Sequence, residues 1–278
     1  MRFHGRKMLR IGVIGCGTIG KGICKAIDEG AVRAELVAVY DRNYCDAEKV
    51  KGHLRRSRPE IMEITEMVKH IDILVECASQ EAVRDIVPLA LLAHCDVMIL
   101  SVGALANDDL RQRIEDLAAE NNCRVYLPSG AIVGLDGLKS AASEEIYAVT
   151  ITTRKPPSGL AGAPFIIRNN IDLDRINATT VLFEGPAKEA VTAFPANVNV
   201  AATLSVAGIG FEKTRVRVIA DPSITRNIHE ITVEGAFGKF TTKVENVPSP
   251  ANPKSSYLAQ LSAIATLKKI SSPFQVGT

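Results

Sequence analysis

From Leu9 to Leu127, short apolar runs alternate with longer stretches in which apolar residues recur every three or four positions. The first texture belongs to strands buried on both faces, the second to amphipathic helices. The runs Leu9–Ile14, Glu35–Tyr40, Ile71–Glu76, Asp96–Leu100 and Arg124–Leu127 therefore predict a parallel sheet. Thr18–Glu29, Gln80–Ala93 and Asp108–Asn121 predict helices between the strands, and Gly30 stops the first of them. The segment Tyr44–Lys69 reads as one helix, a charged loop and a short strand.

After Pro128 the pattern changes. A small-residue helix beginning near Ala131 leads into a strand, Ile146–Arg154, and then into the Pro/Gly-rich loop KPPSGLAGAP. Two helices follow, one opened by Gly185-Pro186 and one over Val198–Ala207. Thr214–Ile219, Asn227–Phe237 and Lys239–Val247 then alternate at period two, as an antiparallel meander would. In the tail, Ser255 is the expected N-cap of a helix that presents Tyr257, Leu261, Ile264 and Lys268 on one face, with Leu258 and Ala265 beside them. This helix is expected to return to the first domain. The organisation is thus a first domain of residues 1–128 plus 253–278 and a second, α+β domain of residues 129–252.

Composition narrows the class. With 46% hydrophobic and 23% charged residues in 278 and a mean hydropathy of +0.11, the chain has the makeup of a folded globular protein. A net charge of +2 offers no field for a nucleic-acid backbone or an anionic membrane. The basic stretch KGHLRRSR, Lys51 to Arg58, has no interleaved aromatic and reads as a solvated loop. The most membrane-like window, Val87–Ala106, is interrupted by Pro88, His94 and Asp96. The N-terminal MRFHGRKM lacks the apolar run of a secretory signal, so a cytoplasmic location is expected. The six cysteines form no CxxC pair and are expected to be buried thiols, with no metal centre.

The strongest chemical signal is Gly15-Cys16-Gly17-Thr18-Ile19-Gly20, between an apolar strand and a helix. Gly15 permits the tight turn, Gly17 lets the backbone approach a pyrophosphate, and Gly20 allows close helix–strand packing. Thr18 and Ile19 complete the loop at the helix N-terminus. Asp41, 21 residues beyond Gly20, closes the second strand where an acid binds ribose hydroxyls. Arg42 beside it leaves room for NADP, although NAD is the better match to the acid. Ala78 and Ser79 follow the third strand and Gly103 the fourth, at the carboxyl edge where dinucleotides lie. These features predict a Rossmann domain.

Of the five histidines only His229 lies in the second domain. On its strand it shares a face with Ile231, Val233 and Phe237, which points an imidazole inward; spacing alone leaves a core histidine and an acid–base group equally open.

Taken together, GVIGCGTIGKGI, PSGAIVGLDGL, TTRKPP, FPANVNVAATLSVAGIG, TRNIHEI and NPKSSYLAQLSAIATLK resemble the L-aspartate dehydrogenase family associated with NAD biosynthesis. The resemblance spans nearly all the chain except the first eight residues and the loop around 51–60. It implies NAD(P)-dependent oxidation of L-aspartate to iminoaspartate, which then hydrolyses to oxaloacetate and ammonia or passes to quinolinate synthesis, a functional link to quinolinate synthase. It assigns catalysis to His229 and nicotinamide-side contacts to Ala131 and Asn199, with Asn197 the competing asparagine. Arg154, Lys155, Arg226 and Lys254 are the candidate cations for the substrate carboxylates. A homodimer is expected, since an exposed strand meander often pairs subunits. Two other readings stay open: a reductase of the dihydrodipicolinate reductase or homoserine dehydrogenase type, against which TRNIHEI argues, and a non-catalytic dinucleotide sensor, which would not need His229.

Overall fold

A computed structural model of the chain describes residues 8–195, 198–249 and 252–278, with side chains described outside 252–254. They form two compact units. One ends at Pro128 and takes in Ala263–Gln275; the other comprises Ser129–Ser262 and Val276–Thr278. His4, Asn197 and the side chain of Lys254 lie outside the described residues.

The strands of the first unit are β1 (Leu9–Ile14), β2 (Ala34–Tyr40), β3 (Glu60–Ile61), β4 (Ile73–Glu76), β5 (Asp96–Ile99) and β6 (Val125–Tyr126). The helices α1 (Thr18–Asp28), α2 (Tyr44–His53), α3 (Ile64–Met67), α4 (Gln80–Leu92) and α5 (Asp108–Glu120) connect them. All pairings are parallel and the order is β3-β2-β1-β4-β5-β6. The order reverses between β1 and β4, and the carboxyl ends flanking such a switch point are where this architecture receives a dinucleotide. The central strands are buried on both faces, as their uninterrupted apolar runs require.

The membrane-like window resolves into the end of α4, strand β5 and a 3-10 turn, Val102–Ala106. No helix among the described residues is long and apolar enough to cross a membrane. All six cysteines are free, but Cys45 is exposed, against the expectation of uniform burial; it sits in the first turn of α2, whose buried residues are Ala47 and Val50.

The second unit contains α6 (Leu135–Ala141), β7 (Ile146–Lys155), α7 (Pro164–Arg168), β8 (Thr180–Pro186), α8 (Ala187–Ala193), α9 (Asn199–Ala207), β9 (Arg215–Ala220), β10 (Asn227–Gly235), β11 (Gly238–Asn246), β12 (Pro248–Ser249) and β13 (Asn252–Ser256). Its main sheet has the order β11-β10-β7-β9-β8. This corrects the meander: β10 and β11 form a hairpin, but β9 runs parallel to β7 and does not touch β10. The ten-residue β7 takes the centre and pairs along both edges. Gly185-Pro186 does not open a helix either, because it ends the edge strand β8, where a missing N–H is tolerated. The helix starts one residue later. Phe237 is also off the strand, since β10 ends at Gly235; exposed in the hairpin turn, its ring lies 5.8 Å from that of Phe240.

The final helix, α10 (Tyr257–Ser271), follows β13 directly, so Ser255 is a strand residue and not a cap. Its buried stripe is Ala263 and Leu267, both 0% exposed, in one cluster with Ile23, Ile27 and Leu36, whereas Tyr257 and Leu261 are exposed. Apolar residues surround this helix, so periodicity alone does not choose the face. The small Ala263 allows the close approach.

Candidate functional site

Sterics shape the glycine loop. Gly15 has φ +89°, and a Cβ there would lie 2.5 Å from the Cys77 carbonyl oxygen. A Cβ on Gly20 would stand 1.9 Å from the Gly15 carbonyl oxygen, so α1 can follow β1 this closely only without one. At Gly17 a Cβ would meet nothing within 4 Å, which leaves open space at the N-terminus of α1 for an anionic group. The Asp41 carboxylate ties the loop to β2: Oδ2 accepts the Cys16 N–H at 2.7 Å and Oδ1 the Asn43 N–H at 2.8 Å.

Gly15, Gly17, Asp41, Arg42, Ala78 and Ser79 line a cavity of about 460 Å³. Its open backbone at Gly17, its acid at the β2 end and its small residues after β4 fit a dinucleotide. Thr18, Ile19 and Gly20 form the first turn of α1 behind it. Arg42 is exposed and pairs with Glu81 at 3.2 Å, so its charge is already offset by a neighbouring carboxylate. The Ser79 hydroxyl caps α4 by accepting the Ala82 N–H. Gly103 is buried in the 3-10 turn and does not line the cavity.

Glu76, which sequence reasoning passed over, organises this edge. It is fully buried at the end of β4 and accepts four donors: the Ala78 N–H at 2.8 Å and Ser101 Oγ at 2.9 Å on Oε1, with the Leu100 N–H at 3.2 Å and the Ser101 N–H at 2.9 Å on Oε2. Burial pushes its carboxyl up, against these donors, which favour the carboxylate. The segments after β4 and β5, which carry Ala78, Ser79 and Gly103, thereby share one anchor. A charge closing the run ILVE was the available signal.

In the second unit the buried face of the main sheet changes character along its length. Val149 and Ile151 on β7 and Ile231 and Val233 on β10 make it apolar at one end; Thr153, Lys155, Asn227 and His229 make it polar at the other. His229 is 4% exposed, stands opposite Thr153 in the ladder and shares a 3.0 Å hydrogen bond between Nδ1 and Thr153 Oγ1. Burial and then the nearby Lys155 charge pull the imidazole down to about 3, so it is neutral at pH 7. Burial likewise lowers Lys155 to about 8.

The other candidate cations separate from this group. Arg154 is held by Asp221 at 2.9 Å, and Asp221 also accepts Thr179 Oγ1 and both the N–H and Oγ of Ser223. The Ser223 bonds, with Arg154 and Thr179, hold that carboxyl at about 2. Arg226 is exposed. Ala131 is 4% exposed, and its carbonyl accepts Asn246 Nδ2 at 2.9 Å. Asn246 stands opposite Asn227 in the ladder, and its Oδ1 is buried with no hydrogen-bond partner. Asn199 opens α9. Thr153 and Asn246 went unremarked in the sequence because ordinary polar residues on strands carry no local signal.

Residues 15–128 match the family model described as homoserine dehydrogenase, NAD binding domain, and residues 136–270 that described as aspartate dehydrogenase, C-terminal. The chain is 63% identical to the L-aspartate dehydrogenase of Methanococcoides burtonii, over 98% of this chain and 100% of that protein. It is 47% identical to the one from Nitrosopumilus maritimus, again over 98% of this chain and all of the relative. The crystal structure of aspartate dehydrogenase from Thermotoga maritima superposes with a TM-score of 0.76 at 30% identity, covering 98% of this chain and all of that one. The two-unit fold, the cavity at the glycine loop and these full-length likenesses converge: the chain belongs to the L-aspartate dehydrogenase family.

Proposed function

We propose that this enzyme oxidises L-aspartate to iminoaspartate with NAD, and that His229 is its acid–base residue. The observation that carries the reading is a neutral, buried imidazole at the polar end of an otherwise apolar sheet face, hydrogen-bonded through Nδ1 to Thr153. NAD bound at the glycine loop supplies the hydride acceptor. With Nδ1–H donated to Thr153 Oγ1, Nε2 keeps its lone pair and accepts a proton. That proton comes from the substrate ammonium, which must become a neutral amine before hydride leaves Cα, or from the water that attacks the imine on the way to oxaloacetate and ammonia. Lys155, on the same buried face, pairs with a substrate carboxylate. The two negative charges of aspartate favour the charged forms of both residues, moving the imidazole from about 3 toward the range where it accepts protons efficiently.

Ala131, held by Asn246, and Asn199 are assigned to the nicotinamide side. Supply of iminoaspartate to quinolinate synthase is the metabolic use we propose. Six free cysteines favour a reducing cytoplasm. The homodimer we propose pairs through the polar outer face of the second unit's sheet, which includes Thr150, Thr152 and Thr232; sedimentation equilibrium giving a single-chain mass would count against it.

Cofactor choice rests on Asp41. Asp41→Ala should weaken NAD more than NADP, because the lost carboxylate bonds ribose hydroxyls and repels a 2′-phosphate. Both affinities should fall somewhat, since Cys16 N–H also loses its acceptor. Titrations showing an equal loss for the two cofactors would remove Asp41 from the discriminating role. Turnover of aspartate with NAD by the purified chain is the direct test of the whole reading.

A further inference from the structure

A second cavity of the first unit, about 740 Å³, lies along α1 and α2 and shares no lining residue with the cavity at the glycine loop. Five lysines and arginines line it, with one histidine: Lys21 and Lys25, one helical turn apart on α1; Lys49 and His53, one turn apart on α2; and Arg55 and Arg56 in the loop that follows. In a chain with 33 basic and 31 acidic residues this is a local concentration, not a reflection of composition.

The acids nearby do not cancel it. Asp28 is 6% exposed and turned toward the backbone, where it accepts the N–H groups of Arg55 at 2.9 Å, Arg56 at 2.7 Å and Ser57 at 2.6 Å. Its effect is to fix the loop, so that both arginines stand at set positions on the rim. Glu29 reaches Lys25 at 3.7 Å and Asp46 reaches Lys49 at 2.9 Å, both exposed pairs along one helix and therefore weak. Among the described residues no ion pair engages Lys21, Arg55 or Arg56. Between these charges the floor is apolar, made by Val50 and Leu54, 3% and 9% exposed.

A cationic rim over an apolar floor recognises a ligand with several negative charges and a flat apolar part. Guanidinium groups match phosphate oxygens in pairs, and a floor of aliphatic side chains accepts the face of a base. The volume is that of a small-molecule site, about 300–1,000 Å³. We propose that this groove binds a nucleoside polyphosphate at the same time as the dinucleotide occupies the glycine loop.

Calorimetric titration of the full chain with magnesium-free ATP, in saturating NAD, tests the proposal. Saturable one-site binding tighter than about 1 mM is expected, weakening as salt is raised. Inorganic tripolyphosphate should bind at least about tenfold more weakly than ATP, because it leaves the floor uncovered. Lys25→Glu combined with Arg56→Glu should weaken ATP by about tenfold or more with aspartate turnover unchanged, at a slightly lower melting temperature because Lys25→Glu sets two acids one turn apart at the end of α1; Lys49→Gln with Arg55→Gln is the milder pair should the first fold poorly. The proposal is overturned by absence of saturable binding, by displacement of ATP by NAD, by tripolyphosphate matching ATP, or by folded variants that bind ATP as tightly as the parent.

Discussion

His229→Ala should give a folded, NAD-binding protein whose kcat for aspartate is lower by roughly 10²- to 10⁴-fold, the usual loss for a positioned general base. His229→Asn should be nearly as impaired, since an amide can keep the hydrogen bond to Thr153 but accepts no proton near neutral pH. A merely structural histidine predicts the reverse: an Ala variant that melts earlier while its folded fraction turns over aspartate normally. Measuring kcat, NAD affinity and melting temperature on one preparation separates the two.

The pH profile gives an independent readout of the same site. In the free enzyme the imidazole is neutral from about 3 upward, so kcat/KM, which reports free-enzyme ionisations, should show no His229 step near 6.5. Lys155 loses its proton as pH rises through about 8, and with it the charge proposed to hold a substrate carboxylate, so kcat/KM should fall above that point. An alkaline limb that persists unchanged in Lys155→Gln would assign the carboxylate contact elsewhere.

The parallel half of the fold was legible because burial on both faces writes itself as apolar runs, and β1, β2, β4, β5 and β6 fall within a residue or two of them. The glycine loop was equally legible, since its spacing states a steric requirement. Topology in the second unit was not. Period-two alternation marks β9, β10 and β11 as strands but says nothing of which edge each one joins, and β7 lies between β9 and β10. The inward direction of His229 followed from parity alone, whereas its partners did not: Thr153 is 76 positions away and meets it only through strand register. The cavity between α1 and α2 was hidden differently. KGHLRRSR reads as solvated until Asp28, a residue of another helix, is seen to hold its backbone.

Glu76 carries the other large expected effect. Its two oxygens accept four donors from the segments that follow β4 and β5; of these the Leu100 N–H is shared with the Glu76 backbone carbonyl at 3.1 Å, so the Ala78 and Ser101 donors depend most on the side chain. In Glu76→Gln one oxygen becomes an amide that turns N–H toward N–H or hydroxyl, leaving buried donors unmet at roughly 1–3 kcal/mol each. A loss of about 3 kcal/mol is the expectation, read as an earlier urea midpoint at unchanged slope. Stability alone would make Glu76 a structural residue. Because its anchor fixes Ala78, Ser79 and the turn carrying Gly103, the folded variant should also bind NAD more weakly, by about tenfold, with little change in the protonation behaviour assigned to His229. A variant that is destabilised yet binds NAD with parental affinity would show that the two segments hold their positions without it, and would confine Glu76 to the core. Conversely, Glu76→Asp retains the charge but draws it back by one methylene, so partial recovery of stability together with partial recovery of NAD affinity is what a shared anchor requires.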